Sequence, residues 1–157
     1  MSHTHEGCPG ARVMEFLDKE EEVAVQEGTR PSRLRQWPVQ LHLVSPNAPY
    51  FQNADLLLAA DCVAYALGDF HKDHLAGHSL AIACPKLDDS LEEYRQKIIA
   101  LVDEANINSL TVMIMQVPCC GALLQTAKAA VEQAKCKIPI KYKVVSLKGE
   151  ILREEWV

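Results

Sequence analysis

The sequence predicts a three-layer, doubly wound α/β fold on a mainly parallel sheet of four to five strands, and three observations carry that expectation. Short runs at residues 55–60 (DLLLAA), 79–83 (SLAIA) and 109–117 (SLTVMIMQV) have strand length and are apolar at successive positions, as strands covered on both faces must be. Helical spacing separates those runs, most clearly from Ser90 to Asn106, so strands and helices alternate. Proline, asparagine and glycine punctuate the junctions. Together these describe a domain of the Rossmann or flavodoxin type.

The elements follow in chain order. Residues 1–36 hold His3, His5, a Cys8-Pro9-Gly10 turn, acidic Glu20 to Glu22, Gly28 and Pro31. That composition buries little apolar surface, so it reads as a flexible N-terminal arm with one helical turn around Val13 to Leu17. The α/β domain occupies residues 37–157. Val39 to Ser45 (VQLHLVS) alternates like a first strand, with His42 as an ordinary strand residue, and Asp55 to Ala60 is the second. Cys62 to Lys72 reads as a short helix and Ser79 to Ala83 as the third strand. Ser90 to Asn106 places Leu91, Tyr94, Ile98, Leu101, Val102 and Ala105 at three- and four-residue spacing; Ser90 can cap it, and Glu92 and Glu93 suit the dipole in the first turn. Ser109 to Val117 is the fourth strand, Cys120 to Lys135 an alanine-rich helix, and Lys141 to Leu147 a fifth strand with a C-terminal extension.

Length and composition bound the function. A chain of 157 residues with 48% hydrophobic content suits one domain with a real core. A net charge of -5 argues against nucleic-acid binding, which needs a basic face, and Arg30, Arg33 and Arg35 are too few to reverse it. No apolar run reaches the roughly 18 to 20 residues of a spanning helix, and MSHTHEGCPGAR has no signal-peptide core. The expected setting is the cytoplasm, without a membrane partner.

Six cysteines in such a chain point to metal binding or catalysis more than to disulfides. Ligands of doubly wound sheets bind outside the carboxyl ends of the strands. Three predicted strands deliver thiols there: Cys62 after DLLLAAD, Cys84 after SLAIA, and Cys119 with Cys120 after TVMIMQVP. Cys62 and Cys120 also stand where helices begin, where unpaired N–H groups lower a thiol's pKa and can donate to cluster sulfides. Gly121 offers close backbone approach. A soft thiolate set selects an iron-sulfur cluster, zinc or copper(I) over hard cations. Cys136 ends the last helix, hence falls on the opposite edge and is left out; Cys8 is a fifth candidate ligand on the arm. Buried free cysteines can simply fill core space, which would account for Cys62 or Cys84 singly but poorly for a vicinal pair plus two thiols on one edge.

His71, His74 and His78 (HKDHLAGH) could hold a metal, although their charged, glycine-containing segment reads better as solvated surface. No GxGxxG, Walker or GxSxG sequence is present. A vicinal disulfide at Cys119-Cys120 would be a strained ring without an evident base nearby.

With those residues in view, RQWPVQLHLVSPNAPYF, ADLLLAADCVAYALGDFHKD, LAIACPKLDD and VMIMQVPCCG, within Arg35 to Trp156, resemble the C-terminal domain of ferredoxin-like 4Fe-4S binding proteins of anaerobic bacteria and archaea. Members of that family usually carry an N-terminal ferredoxin module, absent from this sequence, then a histidine-rich linker and a Cys-Pro-Gly turn like Cys8-Pro9-Gly10. The Cys119-Cys120-Gly121 run, with Cys84 upstream, is also similar to part of the Cys-Cys-Gly motif of heterodisulfide-reductase-type subunits.

The resulting expectation is an iron-sulfur protein in which Cys62, Cys84, Cys119 and Cys120 ligate a [4Fe-4S]-type or larger cluster, with Cys8 as a further thiolate. Its work would be electron transfer or redox-coupled chemistry with a redox partner protein, a ferredoxin module or an oxidoreductase. A ligand on the arm would also allow a homodimer. The alternative is a structural zinc or copper(I) thiolate module without a redox role; zinc suits four thiolates, although no Cys-x-x-Cys knuckle is present.

Overall fold

The computed structural model describes residues 13–15 and 28–157. Its centre is a five-stranded sheet, built from β3 (Asp55–Ala60), β4 (Ser79–Ala83), β5 (Ser109–Met115), β6 (Ile140–Val145) and β7 (Ile151–Trp156) in the order β4-β3-β5-β6-β7. β3 to β6 run parallel, and β7 returns antiparallel to β6. A separate ribbon pairs β1 (Met14–Glu15) with β2 (Gln36–Trp37).

The continuous apolar runs become the central strands because both of their faces are covered. Leu56 to Ala60 are all buried, as are Val112 to Met115 in β5. Three helices connect the strands: α1 (Val63–Ala66), α2 (Leu91–Asp103) and α3 (Gly121–Gln133). α2 and α3 pack against each other. Parallel crossovers are right-handed, and the connection reverses direction after β4, so α1 covers the face opposite α2 and α3. The three-layer, doubly wound reading therefore holds.

α2 forms where its spacing placed it. Ser90 Oγ accepts the Glu93 N–H at 3.3 Å, and Tyr94, Ile98, Leu101 and Val102 face the core. A buried side chain of this kind contributes about 1.5 to 3 kcal/mol.

Four local expectations are corrected. Val39 to Ser45 is not a strand; only Gln40 bridges to Ile82, and the chain then turns, with Leu43 and Val44 N–H groups both bonding the Gln40 carbonyl. Lys97 on α2 draws the turn in by donating to the Leu41, His42 and Val44 carbonyls at 2.9, 2.5 and 3.0 Å. The fifth strand of the sheet is instead β7, the C-terminal extension. Cys62 to Lys72 is not one helix: α1 stops at Ala66, Leu67 is extended, and a wide π-type turn covers His71–Leu75. Glycine follows at Gly68, where a helix has least to gain by continuing. Finally, Met14 and Glu15 are extended rather than helical.

Residues 28–36, assigned to the arm, lie against the domain. Arg30 pairs with Asp69 at 2.8 Å, and the Arg33 N–H donates to His71 Nδ1 at 3.0 Å. Among the described residues no helix is long and apolar enough to cross a membrane.

Candidate functional site

The chain runs from β3 outward to β4, then crosses β3 to β5 and continues to β6. The sheet therefore reverses winding between β3 and β5, and their carboxyl ends diverge into loops on opposite faces. That switch point is where doubly wound sheets open a crevice. Cys62 leaves β3 and Cys119-Cys120 leave β5, so the two elements bounding the crevice both carry thiols. Cys84 leaves β4, the other neighbour of β3: Ala60 pairs with Ala83, and the Asp61 N–H bonds the Ala83 carbonyl at 3.1 Å. The expected adjacency of the three strand ends is realised.

The thiols differ in setting. Cys62 and Cys119 are exposed, Cys84 is half-buried and Cys120 is buried. Burial pushes the Cys120 thiol above its ordinary pKa, and the neighbouring Cys119 and Cys62 sulfurs push the same way. This runs against the expectation that helix onset would lower it: desolvation outweighs the Met115 backbone hydrogen bond, which lowers it. α1, which follows Cys62, is only four residues long. Among the described residues no three His, Cys, Asp or Glu side chains are arranged to hold a metal ion. A methyl group at Gly121 would meet nothing within 4 Å beyond its chain neighbours and own helix, so the space at the start of α3 is open. Cys8 lies outside the described residues, as do His3 and His5.

Cys136 follows α3 and precedes β6, on the amino edge of the sheet, where its N–H and that of Lys135 donate to Asp103 at 2.9 and 3.0 Å. Its exclusion fits this placement. His71, His74 and His78 are spread out: His71 accepts from Arg33, His74 Nδ1 faces Lys143 Nζ at 3.2 Å, and His78 Nδ1 faces the Ala76 carbonyl at 3.0 Å. A cleft of about 270 Å³ between Arg30–Ser32 and Gly68–Lys72 contains no cysteine.

Sequence reasoning missed the polar groups behind the thiols. Asp61 directly precedes Cys62; burial raises its carboxyl pKa, Asp88 adds to this, and Gln40 opposes it through a hydrogen bond. Asp88 accepts from the Cys84 N–H at 3.3 Å and from the Tyr94 hydroxyl. Burial raises the Tyr94 phenol pKa, and its ring stacks on His42 with centroids 4.4 Å apart. One signal was legible: Asp61 is the charged residue that ends the apolar run LLLAA.

A family model for a Rossmann-like domain matches residues 48–157. An uncharacterized protein of Archaeoglobus fulgidus is 34% identical over 119 residues, covering 75% of this chain and 82% of that protein. No solved structure gives a significant match. With the family model spanning the sheet from before β3 to the C-terminus, the chain belongs to the Rossmann-like domain family.

Proposed function

We propose that the carboxyl edge of the sheet binds an iron-sulfur cluster, of [4Fe-4S] type or larger, through Cys62, Cys84, Cys119 and Cys120, with Cys8 as a further thiolate. One observation carries the reading: three adjacent strands, including both that bound the switch point, end in cysteine, while Cys136 on the other edge does not share the site. The donor set fits, being all sulfur, and open space lies beside Gly121. The thiols are not drawn together beforehand, so loading would couple to movement of the strand-end loops and release the protons that burial holds on thiols such as Cys120. When bound, the cluster would supply one-electron chemistry. The chain's own part would be to set exposure and hydrogen bonding at that edge and to present it to a redox partner protein.

The test is metal and acid-labile sulfide analysis on anaerobically prepared full-length protein. The expected result is brown protein absorbing near 400 nm, with about four irons per chain for a single cube. Cys62→Ser and Cys120→Ser should each lose most of the iron, and Cys136→Ser should lose none. Colourless protein with one zinc or copper and no sulfide would move the assignment to a structural thiolate module. Protein that takes up no metal under either regime would end both readings.

A further inference from the structure

The two edges of the main sheet are treated very differently. Along β4, Gln36 bonds the Leu80 carbonyl and N–H, both at 2.8 Å, and residues 39–41 exchange backbone bonds with Ile82 at 2.8 Å. That edge is covered. β7 closes the other end of the sheet, and every one of its residues is exposed. A bare strand edge is a template for another strand.

The direction of its unpaired groups follows from the ladder. The Val157 N–H donates to the Ile140 carbonyl at 2.9 Å, and Lys141 lies opposite Trp156. Alternation then turns the main-chain groups of Arg153, Glu155 and Val157 toward β6 and those of Glu154 and Trp156 outward, as far as Leu152, where the pairing with β6 shifts by one residue between Val144–Arg153 and Val145–Ile151.

We propose that β7 is a self-complementary edge through which two copies of this chain pair antiparallel, joining their sheets into one. A two-fold axis at Glu154 sets Glu154 opposite its counterpart and Arg153 opposite Glu155, and brings the bulged end of β7 at Ile151 and Leu152 alongside Trp156 and Val157. The outward N–H and C=O groups of the two Glu154 residues then pair with one another. Each Arg153 meets a carboxylate, and the exposed apolar residues Ile151, Leu152, Trp156 and Val157 cover one another.

The central Glu154 pair is the one like-charge contact, and each chain offsets it internally. Lys141 bonds the Glu154 carboxylate and Lys143 lies 3.9 Å from it, which holds its pKa down. The neighbouring registers fail. An axis at Arg153 stacks the two guanidiniums and opposes Leu152 to Glu154, and an axis at Glu155 stacks two carboxylates and opposes Glu154 to Trp156. Charged residues on an edge strand usually repel a partner; their order here makes the edge attract its own copy.

Sedimentation equilibrium on the full chain tests this. The expected mass is that of a dimer, about 35 kDa from two chains of 17.5 kDa. Arg153→Glu and Glu155→Arg should each raise the dissociation constant at least about 10-fold, with circular dichroism unchanged. The double variant, which exchanges the charges, should return to within a few-fold of wild type. Trp156 emission should shift red on dissociation. Wild-type protein that is monomeric at its highest soluble concentration would overturn the proposal. So would a dimer indifferent to Arg153→Glu, or a double variant as weak as the single ones.

Discussion

Among the described glycines, Gly149 is the position where one added methyl group should do most damage, because two independent costs fall on it. It sits in the turn joining β6 to β7, held by its N–H to the Ser146 carbonyl at 3.0 Å and by the Ser146 N–H to the Glu150 carbonyl at 2.8 Å. Its φ is +83°, where a side chain costs about 1 to 2 kcal/mol. A Cβ there would also stand 2.3 Å from the Ala66 carbonyl oxygen at the end of α1, backbone that cannot swing aside as a side chain can. Opening that contact to about 3.0 Å moves the turn or α1 by about 0.7 Å, with an overpacking cost of about 1 to 3 kcal/mol. With the unfolded chain's lost entropy credited, Gly149→Ala should therefore lose about 1 to 4 kcal/mol in urea unfolding followed by circular dichroism. Two glycines separate the contributions. Gly77 has φ +80° and nothing within 4 Å, so Gly77→Ala should show only the backbone cost, about 1 kcal/mol after the unfolded chain's lost entropy is credited. Gly68 has open space and no positive φ, so Gly68→Ala should be neutral to stabilising, by up to about 1 kcal/mol. If Gly149→Ala costs no more than Gly77→Ala, the turn does not bear on α1 and the reasoning fails.

Lys97→Met keeps the aliphatic stem but strips three carbonyls, those of Leu41, His42 and Val44, of their shared donor. The expected loss is about 2 to 3 kcal/mol by urea unfolding, against less than about 0.5 for Lys86→Met on the surface. Burial, then Lys143, lowers the His74 pKa from 6.5, and Asp73 and Glu154 only partly oppose them. The unfolded state then binds the proton more readily, so His74 should make stability fall as pH drops below about 6.5 through its folded pKa. His74→Gln should flatten that part of the stability–pH curve, and an unchanged slope between pH 7 and 5 would refute the assignment.

The sheet was legible because its central strands are apolar on both faces, a pattern that few other structures accommodate. The misreading at Val39 to Ser45 has the same root. Alternation there reflects Leu41 and Val44 packing inward from a turn, and what stabilises that turn is Lys97, more than fifty positions away and invisible to a local window. β7 was missed for the opposite reason, since ILREEW has no buried face to impose a pattern, yet it completes the sheet. The thiol edge was readable to the level of which strand ends carry cysteine, because a parallel strand fixes the edge at which its exit loop emerges. Its internal arrangement was not. Asp61, Asp88 and Tyr94 come from three different segments, and Tyr94 looked only like a core residue of α2, although its hydroxyl reaches Asp88 beneath Cys84. Nor did any single strand disclose the winding reversal between β3 and β5, since both are equally apolar. That reversal distinguishes Cys62, Cys119 and Cys120, which leave the strands bounding the crevice, from Cys84, one strand outside it. The three switch-point thiols should therefore matter more to any bound group than Cys84, a ranking that comes from topology alone.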